Sequence, residues 1–144
     1  MATIHAHPNE KLLYTARTHT VGGREHGAAR SSDGNLDVKL SVPGSGRPGT
    51  NPEQLLAAGW SACFEGALAL VARGHSIKLP AAPEIDAEID LNNAGDGLFL
   101  RARLNISLPG LERSIAEEIV ELTSKTCPYS KALSGNIDVS YTVL

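Results

Sequence analysis

The sequence contains few cysteines and no cluster of basic residues, and both features narrow the possible functions. Only two cysteines occur among 144 residues, and neither belongs to a C-x-x-C motif or has a histidine close by in the sequence. A zinc site would have to draw its four ligands from scattered histidines, which argues against a metal. The formal net charge is −3, so the basic surface typical of nucleic-acid-binding proteins is missing. This charge favours a small molecule or a protein as the partner.

Other signals are missing as well. The first ten residues, MATIHAHPNE, contain no basic region followed by an apolar run, so no secretory signal is expected. We therefore predict a cytoplasmic protein, and in the cytosol a cysteine pair is more often catalytic than structural. No sequence motif for flavin, haem or nicotinamide is present. The length predicts a single domain over residues 1–144, and residues 1–10 lack periodicity and are expected to form a loosely ordered arm.

The dominant pattern is a helix predicted over residues 51–73, NPEQLLAAGWSACFEGALALVAR. Asn51 is a favourable N-cap, Pro52 suits the first helical position, and Glu53 places a negative charge at the positive end of the helix dipole. Apolar residues lie on more than one face, which predicts burial on most sides. A membrane span is the alternative, because residues 55–72 approach the required length. Glu65 near the middle and the absence of flanking Lys/Arg residues favour a buried helix and no membrane partner.

The remaining patterns predict an α+β fold. Alternating or β-rich stretches predict strands over residues 12–20, 24–31 and 36–42, joined as an antiparallel meander with a hairpin turn at Gly22 and Gly23. Further alternation predicts strands over residues 85–91, 98–108 and 136–144. A spacing of three and four predicts an amphipathic helix from Leu111 to about Thr126, where Pro128 must end it. A short turn, YSKALSG, is expected to follow.

The two cysteines alone leave several interpretations open. Cys63 lies in the middle of the long helix and Cys127 at the end of the second one. Both could be small core residues, since free cysteine is among the most buried residue types. A structural disulfide is also possible, although it does not suit the expected compartment.

Three separated motifs together resemble one known family. GGREHG at 22–27, GTNPEQLLAAGWSACFEGAL at 49–68 and TCPYSKAL at 126–133 are similar to the organic hydroperoxide resistance (Ohr) branch of the OsmC/Ohr thiol peroxidases. The resemblance covers residues 11–144. It implies mostly antiparallel sheets around two main helices, in an intertwined homodimer. It also implies a thiol-dependent peroxidase that reduces alkyl and fatty-acid hydroperoxides and is re-reduced by lipoyl groups on proteins. Because the sequence has no flavin, haem or nicotinamide motif, we expect no bound cofactor and an external dithiol as the reductant.

The resemblance also implies roles for four residues. Cys63 would be the peroxidatic cysteine, Cys127 the resolving cysteine, Arg24 the activating cation and Glu53 the carboxylate that holds Arg24. An ordinary cysteine is mostly thiol at neutral pH, and a permanent guanidinium charge would stabilise the thiolate and the departing oxygen. A sulfenic acid formed on Cys63 could then condense with Cys127 to a disulfide.

The position of Glu53 raises a geometric question. Glu53 precedes Cys63 by ten residues, which in one straight helix corresponds to about 15 Å. The two can act at one site only if Arg24 spans the gap, if the helix is interrupted, or if a partner subunit contributes a group. Without the resemblance, Glu53 could be a simple helix-dipole residue and Arg24 a solvated charge. Which subunit supplies either residue is left open.

The remaining candidate site residues are those that could line a substrate pocket and two histidines. An apolar pocket that favours alkyl hydroperoxides could be lined by Leu55, Leu56, Trp60, Phe64 and Tyr129, although ordinary packing would explain each of them. His19 and His26 flank the glycine turn and are expected to be surface residues, with a Cys–His hydrolase as the alternative. Two further functions remain open: a non-catalytic redox sensor or ligand-binding module, and an interaction protein with inert cysteines.

Overall fold

A computed structural model describes residues 7–144. Of the expected N-terminal arm, residues 1–6 lie outside the described residues, and residues 7–10 form a turn in which the Glu10 amide donates to the His7 carbonyl at 3.1 Å. The chain divides into two compact units, with the boundary between Asn51 and Pro52. The single domain expected from the length stays a prediction.

The first unit contains a three-stranded antiparallel sheet. Strand β1 (Thr18–Val21) pairs with β2 (Ala28–Ser31), and β2 pairs with β3 (Asp37–Lys39). The predicted meander is confirmed, but its strands are shorter than the sequence pattern suggested. In particular, residues 12–17 form no strand.

The connection between β1 and β2 differs from the predicted hairpin turn. Residues Gly23–His26 form a single helical turn, α1, so Arg24 lies on a helix and not on the predicted strand. Gly22 and Gly23 both have positive φ, 75° and 66°, which a glycine adopts without the steric penalty of a side chain. At Gly27, a Cβ atom would collide with the carbonyl oxygens of Val21 and Gly23. The glycines therefore fold this segment into a compact six-residue loop.

The second unit combines helices with a mixed sheet. Strand β5 (Leu98–Ser107) is central, with β4 (Glu84–Asn93) antiparallel on one side and β6 (Asp138–Val143) parallel on the other. Alternate residues of β5 are buried, including Ala102, Leu104 and Ile106. They belong to one hydrophobic core with residues of the three helices described next. The predicted α+β class and mostly antiparallel pairing are confirmed.

Helix α2 runs over Pro52–Gly74 without interruption, close to its predicted bounds. Its buried residues follow one stripe: Trp60, Phe64, Ala67, Leu68, Val71 and Ala72. The prediction of burial on most sides is wrong within this chain, because the opposite face is exposed at Ala58, Ala62, Gly66, Ala69 and Leu70. Among the described residues, α2 alone is long and apolar enough to cross a bilayer. A core helix passes the same test, and Trp60, Phe64 and Leu68 are fully buried in the core.

Two helices follow the hairpin of β4 and β5. Helix α3 (Arg113–Thr126) begins after Glu112, whose carboxylate accepts the Ser114 amide as an N-cap. It ends before Cys127, as Pro128 predicted. The expected turn after Pro128 is instead a short helix, α4 (Pro128–Leu133). Pro128 occupies the first position of this helix, where its missing N–H has no intrahelical partner to lose.

Candidate active site

The two cysteine sulfurs lie next to each other. Cys63 Sγ and Cys127 Sγ are 3.6 Å apart, and both cysteines are free thiols. Cys127 is fully buried, whereas Cys63 is partly exposed and packs against the core. A disulfide bond is about 2.05 Å long, so a small movement would suffice to join the sulfurs. The structure thus brings together the two cysteines, which are 64 residues apart in the sequence.

Cys127 occupies the junction between two helices. Its backbone leaves the α region, with φ −59° and ψ 123°, as expected for the residue before a proline. Its N–H still donates to the Thr123 carbonyl at 2.8 Å, and its carbonyl accepts from the Lys131 amide at 2.9 Å. Cys127 is therefore anchored to both α3 and α4.

The local environment raises the pKa of the Cys63 thiol above its ordinary value. Burial is the main cause, because it disfavours the charged thiolate. The backbone N–H of Tyr129 donates to the Cys63 sulfur and lowers the pKa, while the nearby Cys127 thiol raises it. Burial therefore opposes formation of the Cys63 thiolate at neutral pH.

Arg24 and Glu53 are the two charged residues that the resemblance implies for the site. Arg24 lies on α1 in the first unit, where its side chain is exposed. Glu53 lies in the first turn of α2 and is half-buried. Because α2 is continuous from Pro52 to Gly74, the rise from Glu53 to Cys63 is about 15 Å. An interrupted helix is thereby removed from the three explanations, and the roles of both residues stay predictions.

The expected pocket residues have different surroundings. Trp60 and Phe64 are fully buried in the core, and the Phe64 ring stacks on Tyr141 with centroids 5.4 Å apart. Leu55 and Leu56 are half-buried on α2, and Tyr129 is 39% exposed. A Cβ atom at Gly59 would lie 2.7 Å from the Tyr129 hydroxyl, so the tyrosine ring packs directly on α2. Their role as substrate-pocket walls stays a prediction.

One buried residue near the cysteines was missed in the sequence. Ser130 is 2% exposed, and its Oγ accepts hydrogen bonds from Trp60 Nε1 at 2.9 Å and from the Tyr141 hydroxyl at 3.0 Å. A buried tryptophan needs a partner for its N–H, which was a usable signal. The partner itself is 70 residues away along the chain, and no pattern identified it.

The remaining polar candidates lie elsewhere. His19 and His26 are exposed in the first unit, and His26 Nδ1 is paired with the Arg47 guanidinium. Both are surface residues, as expected. Across residues 7–144, no group of three or more His, Cys, Asp or Glu side chains is arranged to hold a metal ion.

Comparison with known proteins gives consistent matches over almost the whole chain. The family model described as OsmC-like protein matches residues 43–142. An organic hydroperoxide resistance protein of Xanthomonas axonopodis pv. citri (strain 306) is 45% identical over 138 residues, covering 93% of this chain and 96% of the relative. The organic hydroperoxide resistance protein OhrA of Bacillus subtilis (strain 168) is 43% identical, with coverages of 91% and 96%.

Comparison with solved structures finds similarity to the same kind of protein. The crystal structure of the organic hydroperoxide resistance protein OhrB of Bacillus subtilis matches with a TM-score of 0.86 at 39% identity. The match covers 92% of this chain and 100% of that chain. Fold and sequence therefore point to the same group of proteins.

Proposed function

The chain belongs to the organic hydroperoxide resistance branch of the OsmC-like protein family, and on this basis we propose that it is a thiol-dependent peroxidase. Its substrates are organic hydroperoxides, including alkyl and fatty-acid hydroperoxides, which it reduces to alcohols. The observation that carries the proposal is the 3.6 Å separation of the Cys63 and Cys127 sulfurs. The expected location is the cytoplasm, where thiols are kept reduced.

The proposed reaction proceeds in three balanced steps. The Cys63 thiolate attacks the terminal oxygen of the hydroperoxide, the O–O bond breaks, and the alkoxide takes a proton to become the alcohol. Cys127 sulfur then attacks the resulting sulfenic acid, forming the disulfide and releasing water. An external dithiol of the lipoyl type reduces the disulfide by thiol exchange, giving up two electrons and two protons. Lipoylated protein is accordingly the proposed reductant.

Arg24 and Glu53 have proposed supporting roles. The raised pKa of Cys63 disfavours the thiolate that the first step needs. A guanidinium from Arg24 would offset this and would stabilise the negative charge on the leaving oxygen. A carboxylate from Glu53 would hold that guanidinium in a fixed plane.

A homodimer is the proposed assembly. Helix α2 exposes Ala58, Ala62, Gly66, Ala69 and Leu70 along one face, and Leu70 is 61% exposed. A second copy of the chain covering this face would bury an apolar surface that one chain leaves in water. Such an assembly would also allow either subunit to supply Arg24 or Glu53 to a site.

A steady-state peroxidase assay tests the proposal. We expect faster consumption of a bulky organic hydroperoxide than of hydrogen peroxide, and faster turnover with dihydrolipoamide than with a monothiol. Cys63→Ser should lose turnover by at least about a thousandfold because it removes the nucleophile. Cys127→Ser should be oxidised once and then stall or overoxidise. Turnover in Cys63→Ser close to the unmodified rate would contradict the assignment, and a single oxidation without turnover would instead identify a redox sensor.

A further inference from the structure

We propose that Ser130 is a positioning residue that holds α4 against α2 and keeps Cys127 within bonding distance of Cys63. This inference rests on the proposed function, because it concerns the disulfide-forming step. Ser130 itself would touch neither the peroxide nor the sulfurs. It would act through the helix that begins immediately after Cys127.

The first support is a buried hydrogen-bond junction. Ser130 Oγ on α4 accepts from Trp60 on α2 at 2.9 Å and from Tyr141 on β6 at 3.0 Å. Trp60 is fully buried and Ser130 is 2% exposed. A single hydroxyl therefore connects α4 with β6, the next element of the chain, and with α2, whose Trp60 is 70 residues away. It does so in an interior where unpaired polar groups are costly.

The second support is that α4 cannot fix its own orientation. It contains six residues, and so short a helix is unstable by itself in water. Its N-cap, Cys127, makes no side-chain capping bond. The direction of α4 must consequently come from tertiary contacts such as that of Ser130.

The third support is that the contacts between α2 and α4 form one patch around the sulfurs. The Tyr129 ring packs at Gly59, Trp60 bonds to Ser130, and Cys63 meets Cys127. The sulfurs are 3.6 Å apart and must come about 1.6 Å closer to form a disulfide. Because Trp60 precedes Cys63 by less than one helical turn and Ser130 follows Cys127 by three residues, the Trp60–Ser130 bond sets the spacing of the two backbones near the reaction.

The test measures how readily the disulfide closes, without using peroxide. Reduced protein is equilibrated with mixtures of glutathione and glutathione disulfide. The Cys63 and Cys127 thiols pass two electrons and two protons to glutathione disulfide, which becomes two glutathione thiols as the protein disulfide forms. The fraction of protein disulfide, measured by mass after alkylation, gives the equilibrium constant and hence the effective concentration of one thiol near the other.

We expect Ser130→Ala to lower this effective concentration by about tenfold or more, since misplacement of reacting groups weakens intramolecular reactions strongly. Tyr141→Phe keeps the ring stacked on Phe64 and removes one donor, so a smaller decrease in the same direction is expected. It also provides the test if Ser130→Ala does not fold. In the double variant the two effects should be less than additive, because both act on one junction.

The matched control is Ile106→Val, which shortens a fully buried side chain on β5 outside the junction. It should lower the melting temperature while leaving the effective concentration within about twofold of the original value. The proposal is overturned if Ser130→Ala and Tyr141→Phe both leave the equilibrium unchanged, or if Ile106→Val lowers it equally. Since no peroxide is used, a chain without peroxidase turnover would refute the proposed function and leave this test intact.

Discussion

At the scale of single residues, the chemistry depends on two sulfurs placed in unequal environments. Cys127 is fully buried, whereas Cys63 is partly exposed, as expected if peroxide reaches Cys63 first. The raised pKa of Cys63 means that this environment favours the neutral thiol over the thiolate. Activation and burial therefore oppose each other at the same atom, and the proposed Arg24 charge would decide the balance.

Replacing Arg24 by alanine should slow the reaction of Cys63 with an alkylating reagent at pH 7 by about tenfold or more. One pKa unit changes the thiolate fraction about tenfold below the pKa. Without the guanidinium, burial alone should keep the Cys63 pKa above its ordinary value of about 8.5. The alkylation rate of the variant should then rise with pH through the alkaline range, at higher pH than in the original protein.

The matched control for this prediction is Arg30→Ala. Arg30 belongs to the same unit and its guanidinium lies 3.8 Å from Asp37, with both side chains about two-thirds exposed. Its removal should leave the pH profile of alkylation unchanged. Identical profiles for Arg24→Ala and the original protein would refute the activating role of Arg24.

The two cysteines could be predicted from the sequence, whereas the hydrogen-bonded partners Ser130 and Tyr141 could not. Cys63 and Cys127 lie in the motifs at residues 49–68 and 126–133, whose residue order indicates the family and with it the role of each cysteine. The sequence around Ser130 and Tyr141 gives no sign of their role, which arises only when the fold brings the Tyr141 hydroxyl of β6 to the Ser130 hydroxyl of α4. A contact made across 70 residues, as between Trp60 and Ser130, leaves no local periodicity to detect.

At the scale of elements, predictability followed the strength of local signals. Helix α2 combines a proline start with 23 residues of helical length, and its bounds were predicted to within a residue. The turn α1 and helix α4 contain only four and six residues, too few to show a period. The displaced position of Arg24, on a helix and not on a strand, results from Gly22 and Gly23, whose positive φ values redirect the chain.

Gly59→Ala tests how closely α2 and α4 pack. In a helix interior this change normally stabilises by about 1 kcal/mol. Here the new methyl carbon would lie 2.7 Å from the Tyr129 hydroxyl and 3.2 Å from its ring carbon Cζ. We therefore expect no gain, or a loss, in the free energy of unfolding measured with urea.

The control for Gly59→Ala uses the same substitution in a Tyr129→Ala background. Once the ring is removed, the methyl group has space and the gain of about 1 kcal/mol should reappear. If Gly59→Ala stabilises both backgrounds equally, the Tyr129 ring does not constrain this face of α2.

At the scale of the whole molecule, one face of α2 is apolar and yet exposed to water in a single chain. The sequence predicted a helix buried on most sides, and a single chain buries one stripe. The proposed homodimer would reconcile the two, because the second copy would cover the face that includes Gly66 and Leu70. The residue pattern of α2 indicated that more than one face of the helix is apolar, but it could not indicate whether the same chain or a second copy covers each face.

Leu70→Arg should convert the proposed dimer largely to monomer, as measured by sedimentation. The substitution would place a charge in an apolar contact, where an unpaired charge is costly. Leu98→Arg is the matched control, since Leu98 on β5 is exposed to a similar extent, 67% against 61%. A monomeric original protein, or equal dissociation by both variants, would contradict a dimer formed through α2.

The 64-residue separation between Cys63 and Cys127 has a consequence for the stability of the cycle itself. Closing the proposed disulfide would tie the second half of α2, β4, β5 and all of α3 into one covalent ring, and a ring of that size restricts the unfolded chain by about 4 kcal/mol in the entropy model. Every turnover would then open and shut this ring. The protein would be hardest to unfold just after destroying a peroxide and easiest to unfold when ready for the next one.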